Sequence, residues 1–223
     1  MSVHTRKQPD ASAQAIVRCP WTGIELPLYR DYHDKEWGTP IYYNDRYLFE
    51  MLILESQQAG LSWLTVLKRR EVYRSRLRGF DPEYLVSLDD RSLDRLASDG
   101  QLLRHSGKLQ SLRLNARAFL ELSAQVGSFS CFLWSHFDFK VQTHYYEDLT
   151  EVPAETPQSR DLARELKAYG FRFVGPIMVQ SYLEAVGVYN DHLVTCFRHS
   201  LLSPGSSQSL GFRKNSRNHR SGS

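Results

Sequence analysis

The chain has 223 residues, long enough for one well-buried core, and its 28 basic against 25 acidic residues give a net charge of only +3. No apolar run approaches the ~20 residues of a membrane span, and the opening MSVHTRKQPDASAQA lacks the apolar centre of a secretory signal, so a soluble cytoplasmic protein is expected. Three cysteines, Cys19, Cys131 and Cys196, make no disulfide framework and suit a reducing compartment in which thiols pack or bind metal. The positive charge is also local. After His192 there is no acid, and Arg198, Arg213, Lys214, Arg217 and Arg220 leave 23 basic against 25 acidic residues in the rest, a net of −2. A nucleic-acid partner would therefore need a local basic face and not a bulk field.

In chain order, residues 1–17 are polar and weakly patterned and are expected to be flexible. Asn44 or Asp45 caps a first long helix through YLFEMLILESQQA, which stops at Gly60. Ser62 opens a second, WLTVLKRREVYRSRL, whose Lys68, Arg69, Arg70, Arg74, Arg76 and Arg78 are opposed in sequence only by Glu71. A third follows in FDPEYLVSL, and SLDRLASDG and residues 102–122 read as helices about a turn at His105 to Gly107. Arg104, Lys108, Arg113 and Arg117 form a second basic stretch. Either stretch alone reads as a solvated helix face; two in a near-neutral body suggest an anionic partner.

SRDLARELKAYG is an amphipathic helix, FRFVGP a tight connection and IMVQSYLEAVG another helix. Helix, glycine hairpin, helix is one way to grip a DNA phosphate through backbone N–H groups, and a plain helical turn is the alternative. Residues 18–200 thus read as one all-α domain, and 201–223, ending in SPGSSQSLGFRKNSRNHRSGS, as a disordered basic tail.

Two constellations carry chemistry. Cys19 and His33 near the start and His192 and Cys196 near the end form a Cys₂His₂ set, the pattern of a closed structural zinc site. On a helix, His192 and Cys196 would share a face; either pair is also compatible with ordinary core packing. Glu55 follows Leu48, Met51 and Leu52 on an apolar stripe, in the last turns of its helix, where the macrodipole opposes negative charge. A carboxylate there needs a specific partner, a ligand or a nearby arginine, unless the helix is rotated to put it at the surface. Trp21, Tyr29, Tyr32, Trp37, Tyr42, Tyr43 and Trp63 crowd the same third of the chain, as a core or as walls for a flat cationic ring.

The segments RCPW, PLYRDYHDKEWGTP, LFEMLILESQQAGLSWLTVLKRREVYR, LLRHSGKLQSLRLNARAFL, GFRFVGP and YNDHLVTC, in that order over about residues 18–197, resemble the successive motifs of the bacterial 3-methyladenine DNA glycosylase I family. The resemblance implies a helix-hairpin-helix DNA glycosylase fold, with two helical lobes and a structural Zn²⁺ held by Cys19, His33, His192 and Cys196. It implies that Glu55 hydrogen-bonds the methylated adenine, that Trp63 stacks on it, and that Trp21, Tyr29 and Tyr32 line the pocket with Trp37 beside them. Gly60 and Leu61 would approach the gap left by a flipped base, and Phe171 to Gly175, including Phe173, Val174 and Gly175, would hold the DNA backbone. Wider helix-hairpin-helix glycosylases carry a catalytic Asp where this chain has Asn190, two residues before His192; Asp191 is expected to point elsewhere. The implied activity is monofunctional removal of N3-methyladenine from double-stranded alkylated DNA by a monomer, with Tyr32 positioning the water. A non-catalytic DNA-binding module on the same scaffold is the alternative, and it would not need Glu55.

Overall fold

A computed structural model describes residues 16–58, 60–98, 102 and 106–204. Eleven helices are described: α1 (Pro27–Lys35), α2 (Asp45–Gln58), α3 (Trp63–Leu67), α4 (Arg70–Arg76), α5 (Pro82–Ser87), α6 (Asp90–Ser98), α7 (Ser106–Val126), α8 (Phe129–Ser135), α9 (Pro157–Ala168), α10 (Pro176–Ala185) and α11 (Phe197–Leu202). Among the described residues the only strands are β1 (Gln142–Thr143) and β2 (Tyr189–Asn190), a short parallel pair. The fold is all-α in substance, as expected. The expected flexible start and basic tail lie outside the described residues except at 16, 17 and 201–204. There, the Val17 carbonyl accepts from the Phe197 amide at 3.0 Å and α11 runs to Leu202, so neither edge is loose where it is described.

Local chemistry sets the helix starts. Asn44 is the residue that caps α2, its Oδ1 accepting from the Tyr47 amide at 3.0 Å. Asp45 reaches instead to the start of α8, where its two carboxylate oxygens accept from the Phe129 and Ser130 amides at 2.8 Å each. Asp81 caps α5 ahead of Pro82, and Thr156 and Ser159 form a capping box on α9 ahead of Pro157. α1 and α8, short and weakly periodic, are additions to the expected elements. The expected helix over 63–77 breaks at Lys68 and Arg69 into α3 and α4, and the turn swings Arg70 inward. α7 begins at Ser106, inside the expected turn.

The helices form two groups: α5, α6 and α8 pack around α7, and α9 packs on α10. α2 lies between them against α7, α8 and α10. Every residue from Leu48 to Gln57 is buried, so α2 has no solvent face over ten positions and the surface orientation for Glu55 is excluded. The end of α10 then crosses the segment after α1: Gly38 N donates to Glu184 O at 3.1 Å and Ile41 N to Val186 O at 3.0 Å. A Cβ at Gly187, which has φ +73°, would collide with the backbone of Thr39 and Pro40. This close approach brings the start of the domain against its end.

Candidate active site and metal cluster

The crossing assembles Cys19, His33, His192 and Cys196 into one buried cluster whose ligand atoms all lie within 4.8 Å of one another. His192 and Cys196 do not share a helix face. His192 follows β2 outside any helix and Cys196 sits in the turn that caps α11, so tertiary folding, not helical periodicity, brings them together. Cys19 Sγ and His192 Nδ1 are 3.6 Å apart, Cys196 Sγ and His192 Nδ1 3.5 Å, and Cys196 Sγ and His33 Nε2 3.6 Å. A tetrahedron with metal–sulfur bonds of ~2.3 Å and metal–nitrogen bonds of ~2.0–2.1 Å has edges of about 3.3–3.8 Å; these three separations fall within that range, so the donors are of a type and spacing able to hold a four-coordinate ion.

The outer contacts fit as well. His33 Nδ1 pairs with Asp34 Oδ1 at 2.8 Å, and Asp34 is held by Arg18 at 2.7 Å; His192 Nε2 donates to the Trp37 carbonyl at 3.2 Å. Burial keeps His192 neutral by lowering its pKa. The neighbouring Cys196 and then burial push the Cys19 thiol up, while Cys19 and the two histidines hold Cys196 down against its burial; a bound dication would favour the thiolate form of both.

Next to the cluster is a cavity of about 430 Å³ lined by Trp21, Tyr29, Tyr32, Trp37, Glu55 and Trp63. Its aromatic wall is continuous with the Cys/His cluster. Trp21 and Trp37 meet edge to face with centroids 4.6 Å apart, Trp21 meets His33 at 4.9 Å, and Trp37 meets His192 at 4.4 Å. Tyr32 and Trp63 are 5.4 Å apart on the other side. Tyr42 and Tyr43 lie elsewhere: Tyr42 packs on Trp134 and Tyr43 is exposed.

Glu55 is 4% exposed, and its Oε2 has no hydrogen-bond partner in the protein; neither does the buried Nε1 of Trp63. Burial first, and then the charge of Glu184, pushes the Glu55 carboxyl well above the usual range. No arginine lines the cavity, so the ion-pair alternative finds no support among the described residues. Tyr32 is raised well above the ordinary phenol by burial and by Glu55. The shift favours its protonated form, which can donate to a ligand or water.

The opposite wall was not expected from the sequence. Gln180, Ser181 and Glu184 from α10, Asp191 after β2, and the segment around Leu149 and Pro153 close the cavity. Asp191 therefore turns toward the pocket, contrary to expectation, and its Oδ1 pairs with His144 Nδ1 at 2.6 Å. Asn190 is the one turned away, donating to the His199 carbonyl at 3.1 Å. Gln180 Nε2 donates to Glu184 Oε1 at 3.0 Å, and burial together with Asp191 raises the Glu184 carboxyl to about 8. The signal was available: Glu184 ends an apolar helix just as Glu55 does. Gln180 and Asp191 carried no comparable mark.

A second groove of about 460 Å³ shares Glu55 and Gln58 with the first and opens between Gly60 and Leu61 on one side and Phe173 and Gly175 on the other. Leu61 and Phe173 are exposed apolar residues facing this groove. Val174 is fully buried and serves as an anchor of the hairpin, not as a contact surface. The basic stretches shrink in three dimensions. Arg70 is bound by Glu36 at 2.6 Å and Glu50 at 2.7 Å, Arg74 by Glu50 and Glu71, and Arg113 by Asp90; Lys108 is buried. Opposition by Glu71 alone held only along the sequence.

A sequence profile described as methyladenine glycosylase matches residues 21–199. DNA-3-methyladenine glycosylase 1 of Escherichia coli K12 is 42% identical over 179 residues, covering 80% of this chain and 95% of that protein. A crystal structure of 3-methyladenine DNA glycosylase I superimposes with a TM-score of 0.79 at 44% identity, covering 82% of this chain and all of the other. The Staphylococcus aureus 3-methyladenine DNA glycosylase I, solved to show 3-methyladenine recognition, gives 0.76 at 39% identity over 78% of this chain and 93% of its own.

Proposed function

The chain belongs to the methyladenine glycosylase family, and from that premise we propose that it excises N3-methyladenine from alkylated double-stranded DNA, as a monofunctional glycosylase leaving an abasic site. The observation that carries the reading is Glu55, a buried carboxyl with an unpartnered oxygen in an aromatic-walled cavity. An acid so placed raises the cost of folding unless something with hydrogen-bond donors and positive charge meets it. N3-methyladenine in DNA is such a group: a flat cation with an exocyclic amine.

The hairpin and the Gly60–Leu61 loop hold the duplex, and the damaged nucleotide leaves the stack, at lower cost than an intact one. The base enters between Trp63 and the opposite aromatics. Its cationic ring brings the Glu55 carboxyl back toward its ionised form, and Glu55 accepts from the exocyclic amine. As the bond from C1′ to the ring nitrogen breaks, its electron pair passes to the base, neutralising a charge that already makes the base a good leaving group. Water, positioned by the Tyr32 hydroxyl, forms the new bond to the electron-deficient C1′ and releases one proton to solvent, which completes the hydrolysis. No lysine lines the cavity among the described residues, consistent with a reaction without a covalent enzyme–DNA intermediate.

Cys19, His33, His192 and Cys196 would hold Zn²⁺ as a closed site that contributes folding energy and offers no position to substrate. Through Trp21 and Trp37 these ligands also fix the cavity wall. We assign the protein as a cytoplasmic monomer; no helix among the described residues is long and apolar enough to cross a membrane. The deciding assay is release of 3-methyladenine from methylated duplex DNA, with 7-methylguanine and hypoxanthine scored alongside. Release of the first is expected. Release of none of them sinks the proposal.

A further inference from the structure

α7 lines neither the cavity nor the groove, yet it is hydrogen-bonded to the end of α2 just before the Gly60–Leu61 loop and to the hairpin, the two elements that border the groove. Lys108, in its first turn, is 6% exposed and directs its ammonium at the C-terminal end of α2, where Nζ donates to the Gln57 carbonyl at 2.8 Å. The Gln57 side-chain amide donates back to the Lys108 carbonyl at 3.5 Å. A cation at a helix C-terminus is electrostatically favoured, but burying a lysine is costly, and burial lowers its pKa. The bond fixes the last residues of α2 immediately before Gly60 and Leu61.

Two turns further on, Asn115 is fully buried and holds the hairpin. Its Nδ2 donates to the Arg172 carbonyl at 3.1 Å and its Oδ1 accepts from the Arg172 amide at 2.7 Å. Such an exchange of two bonds imitates a hydrogen-bonded pair in an antiparallel ladder. The next residue, Phe173, has φ +58°, a conformation that a bulky L-residue keeps only where its surroundings impose it. Asn115 on one side, with Phe171 and Val174 buried about it, supplies that constraint.

Positions 108 and 115 lie seven residues apart, on one face of the same helix and ~10.5 Å apart along its axis. One face therefore holds the last turn of α2, which leads into Gly60 and Leu61, with one bond system and the Phe171–Gly175 hairpin with another. Two contact elements strengthen each other only when their spacing lets both engage one ligand. We infer that Lys108 and Asn115 are positioning residues for duplex DNA: through them α7 sets the separation and tilt of the two loops so that both meet one bent duplex together. The inference rests on the reading of the groove as the DNA surface.

The test uses the full chain with Asn115→Ala and Lys108→Met. Three quantities are measured well below each melting temperature: affinity for a duplex carrying a reduced abasic site, the single-turnover rate of base release at saturating methylated DNA, and affinity for free 3-methyladenine by tryptophan fluorescence. Duplex affinity should fall about tenfold for Asn115→Ala and several-fold for Lys108→Met, while the saturated rate and free-base affinity stay within threefold of the parent. Asn115→Asp, which keeps the acceptor for the Arg172 amide and loses the donor, should fall between parent and alanine; with Lys108→Met it carries the test should Asn115→Ala not fold. Duplex affinity within twofold of the parent in the folded variants overturns the inference. So does a parallel loss of free-base binding, which would mean general loosening. Failure of the parent itself to release the base would instead overturn the proposed function.

Discussion

The Cys/His cluster and the cavity acid are both polar groups sunk in apolar surroundings beside shared aromatic neighbours, and they solve burial in opposite ways. In the cluster, each of the four ligands points at the others, and His33 and His192 are each held from behind by Asp34 or the Trp37 carbonyl. In the cavity, Glu55 is left with an oxygen that nothing in the protein answers. A group whose bonding is closed within the fold contributes to the fold. A group whose bonding is open toward a cavity is available to a ligand, and it is retained at a cost to stability.

That contrast can be broken at three places. The largest effect should come from Cys196→Ser, which opens the closed site. A loss of ~3–5 kcal/mol, at ~2–4 °C per kcal/mol for a chain of this size, lowers the melting temperature by about 10 °C and the bound metal below stoichiometric. Unchanged melting with abolished base release would make the cluster the chemical centre and reverse the comparison. Glu55→Gln should come next, with base release down at least ~100-fold, about 2.7 kcal/mol, and melting unchanged or raised, since a neutral amide replaces a buried acid. Lower melting with parental release would place Glu55 among the structural groups.

The smallest effect should appear at Glu184, which lies between the two cases: partly answered by Gln180, partly facing the cavity. Its carboxyl titrates at about 8 in the folded chain against 4.5 ordinarily. The folded state thus holds a proton that the unfolded state has released, so this group makes stability fall as pH rises from about 4.5 to 8. Glu184→Gln should flatten part of that slope in melting curves taken from pH 5.5 to 8.5. Parallel curves for parent and variant would show that Glu184 titrates normally.

The α2 helix and its acid were readable in advance because the signal is local: apolar periodicity, an asparagine or aspartate at the start, a glycine at the end, and a carboxylate where neither solvent nor the helix dipole favours one. The same logic applied to IMVQSYLEAVG would have singled out Glu184. Asp191 offered no such handle, because its side chain is held by His144, a partner 47 positions away in the chain. The basic stretches misled for a related reason. A run of arginines along a helix says nothing about Glu36 and Glu50, which reach Arg70 from α2 and the end of α1.

The sequence by itself determined what depends on neighbours along the chain: the helices with clear caps and periods, the glycine hairpin before α10, and the residue types able to bind a metal or a cationic ring. Tertiary structure alone decided which of those residues meet. Cys196 and His192 meet in one cluster through a turn and not a helix face, Asp191 and Glu184 complete the cavity, and α7 is hydrogen-bonded both to the end of α2 and to the hairpin. The physical reason is that hydrogen-bond direction and charge pairing across distant segments are fixed by how buried helices pack, which no local pattern encodes.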